Sequence, residues 1–294
     1  MKIRKIHPYI SFCALLSFFL FPLLINAQNK NEILRVMAFN IRYDNPDDGS
    51  DIWTNRKDNV ISMINFYDAD IIGTQEVLKN QKVYLDEHLK GFISVGVGRE
   101  NGVDKGEFSA VFFKRDRFEL LNSGTFWLSE TPEVIGSVGW DAALERISTW
   151  VKLKDKTTNN EFFVFNTHYD HMGQQARIKS SELLIEKIKS LSGELPVILT
   201  GDFNVTKDND AYKTIVADED LKMYDSQFSS SQPHHGPNWT FHGFEEVPVN
   251  ERPKIDYIFV NNKVTVLKHG ILSDRFDGGY PSDHLPVLIE AIIK

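Results

Sequence analysis

Apolar and polar positions follow two periods along this chain, and the change from one to the other marks out most of its elements. Ile33 to Ile41 alternates at a spacing of two and predicts a strand. Tyr43 to Asp51 is polar and carries Asn-Pro and Asp-Gly turn signals. Thr54 to Tyr67 has helical spacing, with Val60, Ile61, Ile64 and Tyr67 on one face and Thr54 as its cap. Ala69 to Glu76 reads as a buried strand, and Gln81 to Leu89 as a short helix. Glu107 to Lys114 and Phe118 to Trp127 predict successive strands that turn at Arg115-Asp116, with a long loop from Leu128 to Asp141. Arg146 to Leu153 and Glu161 to Thr167 predict a hairpin around Lys156 to Asn160. An amphipathic helix over Gln174 to Leu191, a buried strand over Pro196 to Asp202 and a helix over Asp208 to Val216 follow. Ser226 to Pro237 is a polar loop, and Ile255 to Val260, Val264 to Leu272 and Leu285 to Ile293 complete the strands. No repeat or linker-like run interrupts Asn31 to Lys294, so this mixture of hairpins and strand-helix-strand units predicts one α/β domain with mixed sheets.

The first 27 residues follow a different logic. Lys2, Arg4 and Lys5 form a basic start, Ile10 to Ile25 is almost wholly apolar, and Ile25-Asn26-Ala27 offers a small-residue exit. This is the pattern of a secretory signal peptide, which divides the chain into a leader over 1–27 and a domain over 28–294. It predicts an exported protein, periplasmic or extracellular; an uncleaved membrane anchor is the alternative. The single cysteine, Cys13, lies in the leader, so the mature chain carries no disulfide and depends on its core. At 41% hydrophobic residues that core is available. The net charge is −8, and loss of the three leader bases takes 33 basic residues to 30 against 41 acidic ones, a net −11. Such a chain is poorly suited to processive binding of duplex nucleic acid, which Lys and Arg drive by neutralising phosphates.

Polar clusters interrupt the strand pattern at strand ends. Near the C-terminus, Ser282-Asp283-His284 is set between Pro281 and Pro286, which hold it on rigid extended backbone. Ala38-Phe39-Asn40-Ile41-Arg42, Gly73-Thr74-Gln75-Glu76-Val77, Asn166-Thr167-His168, Thr200-Gly201-Asp202-Phe203-Asn204 and Lys254-Ile255-Asp256-Tyr257-Ile258 accompany it. Glu76 ends a buried-type strand, where a carboxylate needs a partner. Acids, amides and histidines gathered at strand ends are what a divalent-metal hydrolase requires. No Gly-x-Ser-x-Gly elbow and no Gly-x-x-x-x-Gly-Lys loop is present.

In this order the clusters resemble the endonuclease/exonuclease/phosphatase superfamily, the deoxyribonuclease-like group, across nearly the whole mature chain. The resemblance implies a four-layered sandwich, two packed mixed β-sheets flanked by helices, with the active site where strands of both sheets end. It implies Glu76 as the principal ligand of Mg²⁺ (or Mn²⁺), with Asn40 beside metal and scissile phosphate and Asp283 as a second metal-side carboxylate; one ion or two is left open. It implies His284 as general base or phosphate-polarising group, with Asp256 fixing its tautomer; the plain alternative pairs Asp256 with Lys254. By the same resemblance Asp202 orients or activates the attacking water, Asn204 holds the phosphate, His168 donates to a phosphoryl oxygen, and Glu107 supports His168.

Arginines beside aromatics mark the expected substrate contacts: Arg42 with Tyr43, Trp53 and Arg56; Trp127 and Arg146; and Asp170 with Arg177. The alternative places the tryptophans in the core and pairs the arginines. The Phe126-Trp127, Trp140-Asp141 and Asp170-His171 pairs resemble an exported bacterial branch of the superfamily. The expected reaction is in-line attack of water on a phosphate ester, most simply a diester. The expected partner is a nucleotide, single-stranded nucleic acid, sugar phosphate or phospholipid head group, acted on by a monomer. A ligand-binding protein that kept the fold without catalysis, and a glycosidase, are the competing classes.

Overall fold

The computed structural model describes residues 32–294, so the predicted leader lies outside the described residues. Twelve strands pair into two six-stranded sheets. The first contains β1 (Leu34–Asn40), β2 (Ile71–Gln75), β3 (Phe92–Val95), β4 (Val111–Lys114), β11 (Val264–Ile271) and β12 (Val287–Ile293), in the order β11-β12-β1-β2-β4-β3. The second contains β5 (Phe118–Trp127), β6 (Ile147–Asp155), β7 (Glu161–His168), β8 (Val197–Asp202), β9 (Met223–Asp225) and β10 (Asp256–Asn261), in the order β5-β6-β7-β8-β10-β9.

The apolar runs are long because central strands are covered on both faces. Along β1, Val36 and Ala38 point between the sheets, while Met37 and Phe39 point outward. Along β7, Phe162 and Val164 point inward, while Phe163 and Phe165 point outward. Outside the first sheet, Val60, Met63 and Ile64 of α1 (Trp53–Phe66) and Leu85 of α2 (Lys79–His88) cover the outward set. Outside the second, Leu184 and Ile188 of α3 (Gln174–Ser192) and Ile215 of α4 (Asp210–Ala217) do the same. The four layers are helix, sheet, sheet, helix, as the resemblance implied; a short α5 (Ser226–Ser229) completes the helices.

Two strand-helix-strand units position the site. β1 and β2 are parallel across α1, and β7 and β8 are parallel across α3. Parallel partners finish at the same edge of a sheet. Asn40 therefore registers with Gln75, and His168 with Asp202. β10 runs antiparallel and begins opposite the end of β8, so Asp256 registers with Asp202. At the interface the sheets are joined by a buried polar bridge. Gln75 Nε2 donates to Asn166 Oδ1 at 2.6 Å, Thr200 Oγ1 donates to the same oxygen at 3.0 Å, and Asn166 Nδ2 donates to the Thr74 carbonyl at 2.8 Å.

Several boundaries differ from expectation for physical reasons. The strand expected from Glu107 begins at Val111; Phe108 makes only isolated bridges to Val77 and Gly98. Thr54 does not cap α1, which starts at Trp53 after an Ile52 with no capping side chain. β3 is half-buried throughout and shows no alternation to read, and β9 is three residues long.

One buried histidine predicts an acid response. His269 donates or accepts at Nδ1 with His234 Nδ1 at 2.8 Å, and burial, reinforced by the charge of Lys254, pushes its pKa down to about 2. The folded value lies below the unfolded one, so its contribution is complete above the unfolded pKa near 6.5 and is lost as pH falls towards 2. Between pH 7 and 4.5 this is about 2–3 kcal/mol. Urea unfolding should show that loss in the wild type and a flatter pH dependence in His269→Asn; identical slopes would contradict it.

Candidate active site

The shared edge of the two sheets opens into a cavity of about 520 Å³. At its base, Glu76, Asp202 and His284 bring one ligand atom each within 4.8 Å of one another. Glu76 stands just past β2 with φ +61°, a left-handed conformation that costs a side-chain-bearing residue energy and occurs where surroundings over-determine it. Here Glu76 Oε1 accepts from Asn40 Nδ2 at 3.0 Å and Oε2 from the Tyr43 amide at 3.1 Å. Arg42 (φ +58°) and Asn204 (φ +50°) line the same cavity in the same conformation.

His284 is buried and oriented from one side. Its Nδ1 meets Asp256 Oδ2 at 2.8 Å, and its Nε2 faces Asp202 Oδ2 at 3.8 Å. Burial opposes charge on this ring, but the adjacent carboxylates of Asp256, Asp202 and Asp283 outweigh it and hold its pKa well above 6.5. Asp256 is thus the partner of His284, as the resemblance implied. Lys254 turns away, to Asp225 at 3.2 Å and Gln227 at 2.7 Å. Thr240 Oγ1 accepts the backbone amides of Ile255 and Asp256 and fixes the start of β10.

Asp202 is buried and accepts from Asn40 Nδ2 at 3.0 Å and the Asn204 amide at 2.9 Å. Burial, with the nearby charge of Asp256, pushes its pKa up to about 7. Burial likewise raises Asp283, whose Oδ2 lies 3.9 Å from Arg42 Nη1.

Three expected roles change in detail. Asn40 presents its nitrogen, not its oxygen, to Glu76 and Asp202, because Oδ1 accepts the Arg42 amide at 3.0 Å. Through that nitrogen it bridges the two carboxylates. Asn204 Nδ2 donates to the Tyr169 carbonyl at 3.0 Å and contacts His168 Nε2 at 3.1 Å. With the amide in that orientation Nε2 accepts, which leaves Nδ1 facing Glu107 Oε2 at 3.5 Å without a hydrogen bond. Donation from His168 to a phosphoryl oxygen requires the other tautomer. Burial and the charge of Arg146 keep the ring neutral, with its pKa well below 6.5. Glu107 lies near His168 Nδ1 without hydrogen-bonding it, and its carboxylate is bound instead by Arg99 at 2.7 Å.

The expected substrate contacts divide. Arg42 and Arg146 line the cavity. Trp127 does not: it is buried, and its indole N–H donates to the Arg99 carbonyl at 2.7 Å. Asp170 is buried and accepts the Met172 and Gly173 amides, acting as a loop organiser. Arg177 donates to the Asp170 carbonyl at 2.9 Å and to Gln174, away from the cavity lining. Arg56 is spent on backbone, holding the carbonyls of Ile41, Arg42 and Pro281. Leu144, Phe241 and Ile255 were missed as cavity residues because an apolar wall has no polar signature in sequence. Phe241 packs on His284 with ring centroids 4.9 Å apart.

The family model described as "Endonuclease/Exonuclease/phosphatase family" matches residues 37–284. A crystal structure of an endonuclease/exonuclease/phosphatase from Bacteroides vulgatus superposes with a TM-score of 0.86 at 43% identity, over 89% of this chain and 99% of that one. A mannosyl-6-phosphatase from Bacteroides thetaiotaomicron superposes with a TM-score of 0.84 at 39% identity, over 88% of this chain and 100% of that one. An uncharacterised protein of Acanthamoeba polyphaga mimivirus is 25% identical over 76% of this chain, which spans 34% of that protein's length.

Proposed function

Because this chain belongs to the endonuclease/exonuclease/phosphatase family, we propose that it is a divalent-metal-dependent phosphoesterase acting on compact phosphomonoesters, sugar monophosphates foremost. The observation that carries the reading is the convergence of Glu76, Asp202 and an Asp256-paired His284 at the base of one cavity. The similarity to a mannosyl-6-phosphatase over nearly the full chain supports the monoester over the diester expected from sequence. A chain with more acids than bases does not favour a polyanionic nucleic acid as the substrate.

The carboxylates of Glu76 and Asp283 suit a hard cation such as Mg²⁺ or Mn²⁺, while a protonated His284 stays outside the ligand set. Glu76, whose side chain is 13% exposed against 2% for Asp202 and 7% for Asp283, would anchor it on the solvent side. When bound, such an ion would offset charge on the phosphoryl oxygens and acidify a water. Asp202, with its proton affinity near neutrality, accepts the proton of the attacking water. His284, held protonated by Asp256, donates towards oxygen charge that develops in the transition state. Asn40 bridges the carboxylates of Glu76 and Asp202, and Asn204 ties His168 to the Tyr169 carbonyl beside them. The apolar N-terminal segment supports placing this reaction outside the cytoplasm, in a periplasmic or extracellular space.

Purified protein should hydrolyse p-nitrophenyl phosphate with Mg²⁺ or Mn²⁺, cleave bis(p-nitrophenyl) phosphate less efficiently, and lose both activities in EDTA. Preferred cleavage of the diester would restore the phosphodiesterase reading, and EDTA-resistant turnover would remove the metal from the account.

A further inference from the structure

Arg146 immediately precedes β6, is 4% exposed, and lines the cavity with His168, Asp202 and Asn204. Its hydrogen bonding is incomplete. Nε reaches Asp170 Oδ2 only at 3.4 Å, Nη2 meets His171 Nδ1 at 3.1 Å, and Nη1 has no hydrogen-bond partner. Of the nearby acids, Asp170 gives Arg146 only the long contact from Oδ2. Asp170 Oδ1 accepts two backbone amides, and Glu107 is held by Arg99 at 2.7 Å. A buried guanidinium with an idle donor is costly to maintain in the free protein. Such a cost is recovered when a ligand supplies the missing acceptor, and a guanidinium suits the oxygens of a phosphate.

We propose that Arg146 is a specificity-determining residue: its unpaired edge takes the non-bridging oxygens of the substrate phosphate and selects dianionic monoesters over monoanionic diesters. This rests on the phosphomonoesterase reading above. A monoester carries a second negative charge above its second pKa of about 6 and exposes three equivalent oxygens; a diester carries one charge and exposes two. Arg42 cannot take this role alone. Its guanidinium is already fixed to Asp48 by two bonds, at 3.0 and 2.8 Å. His171 and Asp170 become positioning residues that hold the guanidinium plane from its other edges.

The test compares kcat/KM for p-nitrophenyl phosphate and bis(p-nitrophenyl) phosphate in wild type, Arg146→Lys and Arg146→Gln. Monoester cleavage should fall by roughly 10²-fold or more in Arg146→Gln and diester cleavage by about tenfold or less, so the ratio drops at least tenfold. Arg146→Lys, which keeps the charge and loses the fork, should fall between. The monoester KM should improve in the wild type as pH rises through about 6, and this improvement should vanish in Arg146→Gln. Inorganic phosphate should raise the melting temperature of the wild type and not of Arg146→Gln, a readout that needs no turnover. Equal losses on both substrates, with phosphate stabilisation retained, would overturn the selector role. A wild type inactive on both esters that is still stabilised by phosphate through Arg146 would overturn the proposed function and leave the anion site standing.

Discussion

Glu76→Gln should lower kcat/KM for a phosphomonoester by roughly a thousandfold or more, about 4 kcal/mol of barrier, while the protein melts at or above the wild-type temperature. The side chain keeps its shape, so an oxygen remains to accept from Asn40 or the Tyr43 amide. What disappears is the charge, together with one of the two acceptors. That charge is a liability in the free protein, because Glu76 adds to the pressure that raises Asp283. Glu76 also stands at φ +61°, a strained conformation for a residue with a side chain. Such a residue trades stability for function, and removing its charge should return some of the stability. The expected loss is therefore confined to metal binding and turnover. Differential scanning fluorimetry with and without Mn²⁺ checks both halves: the wild type should be stabilised by the metal, and Glu76→Gln should not. A variant that keeps its metal-induced shift and its turnover would remove Glu76 from the site.

Gly73→Ala should disrupt the join between the two sheets. A Cβ at this position would lie 2.1 Å from Thr200 Oγ1 and 2.5 Å from Asn166 Oδ1. Neither atom can yield freely. Asn166 Oδ1 accepts from both Gln75 and Thr200, while its amide nitrogen donates to the carbonyls of Thr74 and Ala110. The new methyl group must separate the sheets or break that bridge, leaving buried polar groups unpaired. Overpacking and lost hydrogen bonds together should cost about 3 kcal/mol or more. Urea unfolding would register this as a lower midpoint with little change in slope. Activity should fall as well, because β2 and β8 carry Glu76 and Asp202 to opposite sides of the cavity base. An unchanged midpoint would show that the interface tolerates separation and that the sheets do not fix the site.

The strands that matter most were legible because both of their faces are apolar and their last residues are not. β1, β2, β7, β8 and β10 each carry a hydrophobic run that meets an amide, acid or histidine at the shared edge. That is why Asn40, Glu76, His168, Asp202 and Asp256 could be named before their contacts were known. The resemblance also implied a pairing of Asp256 with His284, residues separated by 28 positions and joined at 2.8 Å, where the residues alone left Lys254 open as the partner. It did not reach the direction of a side chain. Asn40 and Asn204 were read as a metal neighbour and a phosphate holder, but their amide nitrogens are fixed by Glu76, Asp202, Tyr169 and His168. Trp127 and Arg177 show the same limit from the other side. An aromatic or a cation in a loop looks alike in sequence whether it faces the core, a backbone carbonyl or solvent. Arg146 was named with them, and it is set apart by lining the cavity while its Nη1 has no partner.

The central claim is tested most directly by phosphate release from a hexose 6-phosphate, measured with Mg²⁺ or Mn²⁺ and with EDTA, in wild type and Glu76→Gln. Metal-dependent release by the wild type, abolished by EDTA and reduced roughly a thousandfold in the variant, is the predicted result. Release that survives both EDTA and the loss of the Glu76 charge would contradict the account.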